Sequence, residues 1–456
     1  MSRHPGTSGH YGARMVADTQ ALGERWSNWA GNQTARPRTV VHPQSLEEIA
    51  AAVRAAADAG RTVKPIGTGH SFTGVGAPND VQMKLDGHAD LTSADPATGL
   101  VTVDAGMSIH DLSLALAERG LALTNLGDID VQTVSGAFNT GTHGTGLGYG
   151  GLATQIRGLT IVLADGSVVH ADDTENTELY AAARVGLGAF GVVASYTLQA
   201  VPAFGLHAVE EPSTFEELVD DGRFTELAES VDHTEFYWFP HTSGCLLKRN
   251  TRVGLDDLRP LSRWQAWRDD ELLSNTLFGA TCALGKVMPA LIPRINRIAS
   301  KALGRREFTA ASHEVFASSR RVRFVEMEYN LPRAELIGVL QELRAFVDSA
   351  GLEISFPIEV RVAAPDDIWL STAYERESAY VAVHVVRGSA YDRYFYGVEK
   401  IMSQVGGRPH WGKMHFLDAA ALGERYPRFA DAQAVRDRVD PARVFANDYS
   451  LRVLGA

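Results

Sequence analysis

Residues 125–151 carry many glycines and threonines, with neither the 3.6-residue period of a helix nor the alternation of a strand. A loop this long inside a compact domain is usually functional, so the fold must hold a long irregular segment against a regular scaffold. That scaffold is legible on both sides of it. Ser45 followed by Glu48 is a capping box that opens an alanine-rich helix over 46–59, and Gly60 stands where a C-cap glycine belongs. The run 62–66 reads as a strand that breaks into the loop Gly67-Thr68-Gly69-His70-Ser71. A second unit follows, with a strand at 100–103 and a helix at 109–119 capped by Ser108 with Asp111 and closed by Gly120. Beyond the long loop, 159–163 and 167–171 form a hairpin about Asp165-Gly166, and 192–198 is a further strand.

After Pro202 the character shifts to α+β, which marks a domain boundary. Strands are expected at 235–239, 321–329, 354–362 and 380–386, helices at 334–348 and 392–404, and a helix followed by an extended tail over 434–453. A chain of 456 residues is too long for one ordinary core, so two domains of roughly 150 to 250 residues each are expected. With 45% hydrophobic and 21% charged residues there is enough apolar surface to offset chain entropy.

A formal net charge of −12 excludes the basic footprint that a nucleic-acid partner requires. Two cysteines, Cys245 and Cys282, are too few for a disulfide scaffold or a metal cluster of their own; no metal is expected and a cytoplasmic compartment fits. Residues 1–22 are polar and read as neither a secretory signal nor an anchor. The most lipid-like stretch, 277–292, is short and contains Lys286 and Pro289, so no transmembrane segment is expected and it reads as a buried or interfacial helix.

Two segments match the dinucleotide pattern by letter: Gly146, Gly148 and Gly151, and Gly186, Gly188 and Gly191. The pattern needs a strand before it and a helix after it, so that a pyrophosphate meets the helix N-terminus. The first follows a loop and the second joins a helix to a strand, which excludes a Rossmann site. A glycine turn such as 67–71 can instead cradle phosphate through successive backbone N–H groups.

Glu359 and Arg361 lie two apart on a strand, so their side chains share a face. A charged pair amid Phe356, Pro357, Ile358, Val360 and Val362 is costly to bury unless paired or used, which leaves a structural salt bridge or a pocket. His384 sits in the apolar strand 380–386, where a satisfied core histidine is the ordinary reading. Lys413 follows Gly406-Gly407 and Pro409 on a loop, where a surface lysine is ordinary.

Six motifs occur in order over nearly the whole chain: Gly-Thr-Gly-His-Ser at 67–71, Asn-Leu-Gly-Asp-Ile at 125–129, Ser135-Gly136 with Gly141-Thr142-His143-Gly144-Thr145-Gly146, Gly188-Ala189-Phe190-Gly191-Val192, Glu359-Val360-Arg361, and His410-Trp411-Gly412-Lys413. Together they are far more specific than any one. With them the chain resembles the vanillyl-alcohol oxidase (PCMH-type) FAD flavoproteins, most closely the sugar-1,4-lactone oxidase and alditol oxidase branch. The resemblance implies an α+β, two-domain PCMH-type FAD-binding fold. Its parts would be an N-terminal extension at 1–35, the FAD-binding domain at 36–203, an α+β substrate (cap) domain at 204–424, and a C-terminal segment at 425–456 that returns to the FAD domain.

The resemblance also implies FAD bound covalently through His70. Cofactor contacts would come from Ile66, Gly67, Thr68, Gly69, His70 and Ser71, from Gly127, Asp128 and Val131, and from Ser135, Gly136, Asn139, Gly141, Thr142, His143 and Gly144, with His143 structural in its loop. Gly188, Gly191, Val192, His410 and Lys413 complete that set. Glu359, Arg361, His384 and Lys413 become the catalytic candidates. A cation would stabilise developing negative charge, Glu359 would position substrate hydroxyls, and His384 or Lys413 would accept a proton, lysine only if its pKa is depressed. The implied reaction is oxidation of an aldono-1,4-lactone such as L-gulono-1,4-lactone, with alditol oxidation as the alternative. Glycine at 127 leans toward oxygen as acceptor, with another electron acceptor left open.

Overall fold

Capping chemistry places the first helices. Ser45 accepts a hydrogen bond from the Glu48 N–H and opens α1 (Leu46–Asp58), which buries Ile49, Ala50, Val53 and Ala56. The Glu48 carboxylate reaches back to the Gln44 N–H at 2.8 Å, one residue ahead of the cap. The computed structural model describes residues 25–268, 276–318 and 321–456, so the reading of 1–22 lies outside the described residues.

The first domain is built on two main sheets, beside which lie two-stranded pairings of Trp26–Ser27 with Thr34–Ala35 and of Leu121–Ala122 with Val201–Pro202. Strands β1 (Thr39–Val41), β2 (Val63–Ile66) and β3 (Val81–Lys84) run parallel in the order β1-β3-β2. Strands β4 (Leu91–Ala94), β5 (Leu100–Asp104), β6 (Ile156–Val162), β7 (Val168–Asp172) and β8 (Val192–Gln199) form an antiparallel sheet in the order β7-β6-β8-β5-β4. One core joins both to α1 and to α2 (Ile109–Ala117). The segment 125–151 is not wholly irregular. It contains α3 (Val134–Asn139), capped by Thr133, whose hydroxyl accepts from the Gly136 N–H at 3.1 Å. A six-residue helix is too short for periodicity to reveal.

The chain leaves this domain at Val201–Pro202 and enters an eight-stranded antiparallel sheet at Gly205. Its strands are β9 (Gly205–Thr214), β10 (His233–Trp238), β11 (Gly244–Val253), β12 (Arg306–Ala311), β13 (Phe324–Pro332), β14 (Ile358–Ala363), β15 (Ser378–Val386) and β16 (Arg408–Pro409). The spatial order is β12-β9-β11-β10-β14-β15-β13-β16. Strands β9 and β11 escape the sequence reading because they are rich in charge. Glu210, Glu211, Lys248 and Arg249 make cross-strand ion pairs, Arg249 to Glu211 at 2.5 Å and Lys248 to Glu210 at 3.8 Å.

Strand alternation divides this sheet into two chemically distinct faces. Met327, Tyr329, Val360, Val381 and Val383 belong to a core shared with helices between the strands, Leu336–Ser349 and Asp392–Gln404. The intervening residues, Glu326, Glu328, Glu359, Arg361 and His384, are buried on the opposite face.

Two expectations are corrected here. Segment 277–292, expected as one buried or interfacial helix, is broken in two: it is α4 (Phe278–Val287), a turn at Pro289–Leu291, and the start of α5 (Ile292–Lys301), with Val287 79% and Met288 50% exposed. The expected extended tail is the helix Asp448–Leu454. Asn447 caps it through the Ser450 N–H and donates from Nδ2 to the carbonyls of Gly74, Val75 and Ala77. That side chain satisfies both a helix end and a turn of the first domain, a long-range pairing no local pattern carries.

Candidate active site

A solvent-open cleft lies between the two domains. His70, Asp128, Thr142 and His143 come to it from the first domain, and Glu326, Glu328, Glu359, Arg361 and His384 from the large sheet. His410 and Lys413 enter from the turn after β16. All four expected catalytic residues therefore meet in one cleft.

The turn His410-Trp411-Gly412-Lys413 is the joint between the domains. On the sheet side the His410 N–H donates to the Glu328 carbonyl at 3.0 Å, and the Met414 N–H to that of Glu326 at 2.8 Å. On the other side the Gly412 carbonyl accepts from the Phe72 N–H at 2.6 Å and the Trp411 carbonyl from the Thr73 hydroxyl at 2.9 Å. Trp411 is fully buried, donates to the Leu370 carbonyl at 2.7 Å and stacks on Tyr426.

Sheet register sets the electrostatics. Glu326 stands opposite His384, and Arg361 opposite Tyr380. The Arg361 guanidinium pairs with Glu359, with Glu235 at 2.8 Å and with Asp128 at 3.5 Å, while the Tyr237 hydroxyl donates to Glu359 at 2.6 Å. Burial opposes the charge on Arg361, but Glu359, Glu235 and Asp128 raise its pKa well above the ordinary value. Lys413 pairs with Glu326. Burial again opposes the charge, yet Glu326, Glu328 and Asp128 outweigh it and raise the pKa, so the depression that a lysine base requires is absent. The Glu326 carboxyl, which burial would raise, is held low by Lys413 and His384.

His384 lies edge-on to Phe324 and stacked against Phe356. Its Nδ1 is 3.3 Å from the Pro357 carbonyl, an obligate acceptor, and its Nε2 is 3.5 Å from Glu326. His143 lines the cleft and is held in its loop: Nδ1 meets the Gly144 carbonyl at 2.9 Å, Nε2 meets Glu328 at 3.0 Å, and the ring stacks on Tyr380 at 3.6 Å. Glu326 and Glu328 escaped the sequence reading. Their signal was the same as that of Glu359 and Arg361: charges at alternate positions of an apolar strand, Val325-Glu326-Met327-Glu328-Tyr329.

The glycine loop fits a diphosphate-bearing cofactor. The backbone N–H groups of Thr68, Gly69, His70 and Ser71 donate to no described residue, and Gly69 has φ +76°, the left-handed turn that gathers successive N–H groups into an anion-binding concavity. Burial, reinforced by Lys413, pushes His70 down to about 4, so its imidazole is neutral, and Trp29 stacks on it at 5.2 Å.

Other expected cofactor residues divide. Asn139, Gly188 and Gly191 line a smaller cavity between α3 and β8, where Asn139 accepts from the Gly188 N–H at 3.1 Å. Ser135 hydrogen-bonds Tyr196 and Asn139. Gly144 is required by packing, since a Cβ there would stand 2.2 Å from the Leu126 carbonyl oxygen. Ile66, Gly67, Gly127, Gly136 and Gly141 support these loops without lining the cleft. Val131 is 46% exposed and does not line the cleft, and the Val192 side chain is fully buried in the first-domain core.

Comparison with known proteins agrees with this geometry. The model of the D-arabinono-1,4-lactone oxidase family matches residues 196–453, and that of the FAD binding domain matches 37–172. The chain belongs to the D-arabinono-1,4-lactone oxidase family. Within it, the chain is 40% identical to the L-gulono-1,4-lactone dehydrogenase of Mycobacterium tuberculosis over 94% of this chain and 99% of that one. It is 31% identical to the L-gulonolactone oxidase of Bos taurus, over 94% and 98%. A cholesterol oxidase from Brevibacterium sterolicum shares the fold, with a TM-score of 0.78 at 19% identity, covering 95% and 97% of the two chains. The protein is thus an FAD oxidoreductase of PCMH-type architecture.

Buried neutral imidazoles have a measurable consequence. Burial pushes His233 down to about 4, and His410 and His415 to about 3. Below the unfolded value of about 6.5 the unfolded chain takes up protons that the folded one refuses, so stability is full above that pH and falls below it. Urea unfolding of the holoenzyme from pH 7 to pH 4 should show stability dropping with a slope that approaches about three protons from these groups. A flat profile would contradict it.

Proposed function

We propose that the protein oxidises an aldono-1,4-lactone, L-gulono-1,4-lactone or a close relative, at the C2 carbinol to the 2-keto lactone. The observation that carries this reading is the single cleft uniting Glu359, Arg361, His384 and Lys413 with His70 beside the glycine loop. FAD, when bound, supplies the hydride acceptor at N5. The chain itself must bind the polyol, take the hydroxyl proton and offset negative charge.

Carboxylates are strong acceptors for sugar hydroxyls, and Glu359, held by Arg361 and Tyr237, is fixed to position them. The raised pKa of Lys413 argues against a lysine base. Proton acceptance falls to His384: with Nδ1–H donating to the Pro357 carbonyl, Nε2 takes the proton and Glu326 stabilises the charge gained. Lys413 and Arg361 remain cationic and offer the positive charge that alkoxide formation and hydride acceptance call for. The neutral His70 imidazole is suited to covalent attachment of the flavin, which is our reading of its role. Glycine at 127 favours oxygen as acceptor in our reading, although the 40% identical relative is named a dehydrogenase.

Replacing Lys413 with methionine should lower turnover about a hundredfold or more while leaving bound flavin unchanged by absorbance. The assay compares lactones with alditols, using oxygen and an artificial acceptor. Undiminished turnover would remove the role given to Lys413.

After acid precipitation, the yellow colour should stay with the wild-type pellet and pass to the supernatant for His70→Ala. Colour in the wild-type supernatant would overturn the covalent assignment.

A further inference from the structure

One row of the large sheet alternates in charge from its edge to the cleft. In register across neighbouring strands stand Arg306 on β12, Glu210 on β9, Lys248 on β11 and Glu235 on β10, and Glu235 joins Arg361 on β14 at 2.8 Å. Lys248 Nζ is 3.8 Å from Glu210, 3.6 Å from Glu235 and 5.0 Å from the centre of the Tyr237 ring. Glu235 and Tyr237 flank Phe236, and Lys248 follows Leu247, with Phe236 and Leu247 both in the core. Alternation therefore puts the row on the face of the sheet that carries Glu359 and Arg361.

The middle of this row bears on one proton. Tyr237 has a single O–H and two carboxylates within reach, Glu359 at 2.6 Å and Glu235 Oε1 at 3.1 Å. It can donate to one of them. Glu235 divides its oxygens: Oε2 accepts from Arg361 Nε at 2.8 Å, and Oε1 faces Lys248 and Tyr237. Positive charge from Lys248 offsets Oε1, which leaves the phenol proton to Glu359, where the contact is shorter. Burial would raise the Glu235 carboxyl, and Arg361 and Lys248 hold it low instead.

We infer that Lys248 is a positioning residue of the active site: by engaging Oε1 of Glu235 it commits the Tyr237 proton to Glu359 and steadies the Arg361 guanidinium that grips the same carboxylate. Lys248, Glu235 and Tyr237 do not line the cleft, so the lysine acts through residues that do. Its side chain is 27% exposed and that of Glu235 13%, which leaves their attraction less screened than a surface pair. Without the lysine, Glu235 competes with Glu359 for the phenol proton and draws the guanidinium toward itself. The inference rests on the hydroxyl-binding role given to Glu359 above.

A double-substitution cycle tests it on flavin-loaded protein: wild type, Lys248→Met, Tyr237→Phe and the two combined, with Lys248→Arg as the conservative variant. In anaerobic flavin reduction by L-gulono-1,4-lactone, Lys248→Met should weaken lactone binding about tenfold and leave the limiting rate of reduction nearly unchanged. Lys248→Arg should restore most of the loss. In the Tyr237→Phe background the same lysine substitution should cost less than about twofold, because no proton is left to misplace. Unchanged lactone binding in Lys248→Met, even with lowered stability or flavin content, would reduce the lysine to a packing role and overturn the inference. So would full additivity of the two substitutions, or an arginine that rescues nothing. Urea unfolding of the same four proteins supplies a second cycle that needs no lactone, and additivity there would also overturn it. If no aldonolactone reduces the wild type, the substrate reading fails, and the unfolding cycle still decides whether Lys248 and Tyr237 act as one unit.

Discussion

Arg361 and Lys413 make the inner face of the large sheet tenable. That face buries Glu326, Glu328 and Glu359, with Glu235 and Asp128 at its edge, and buried carboxylates persist only when cations and hydrogen bonds compensate their lost hydration. Arg361 engages three of them and Lys413 another. Removing either cation would leave uncompensated charge beside the cleft. The pair therefore holds the geometry of the site as well as supplying its positive potential.

The position of Lys413 depends on backbone. Its turn is hydrogen-bonded to β13 on one side and to Phe72 and Thr73 on the other, two residues beyond the loop that presents His70. One tetrapeptide thus registers the glycine loop of the first domain against the charged face of the large sheet. Trp411 anchors it from beneath, fully buried, so the cation above is carried by a rigid support. The same sheet explains His384: register sets it opposite Glu326, and the alternation that points Val383 into the core points His384 into the cleft.

Much of this was legible in the sequence. Two-residue spacing put Glu359 and Arg361 on one face, capping residues placed the helices after Ser45 and Ser108, and the ordered glycine motifs identified the family. What escaped was long-range. Glu326 and Glu328 have the same alternation as Glu359 and Arg361, but only the pairing of β13 with β15 brings Glu326 to His384 and Lys413. The apolar composition of 277–292 suggested one helix, yet Pro289 breaks it and leaves Val287 and Met288 exposed. Whether Lys413 was a base or a fixed cation turned on carboxylates from another strand, which sequence spacing does not report.

In the reaction we propose, this cleft binds a sugar lactone and removes the hydrogen from its C2 carbinol. Anaerobic stopped-flow reduction of the holoenzyme, with L-gulono-1,4-lactone carrying protium or deuterium at C2, tests it most directly. The lactone should bleach the flavin, more slowly with deuterium at that carbon. Flavin left oxidised by every aldonolactone, or reduced at a rate indifferent to the label because another carbon reacts, would contradict it.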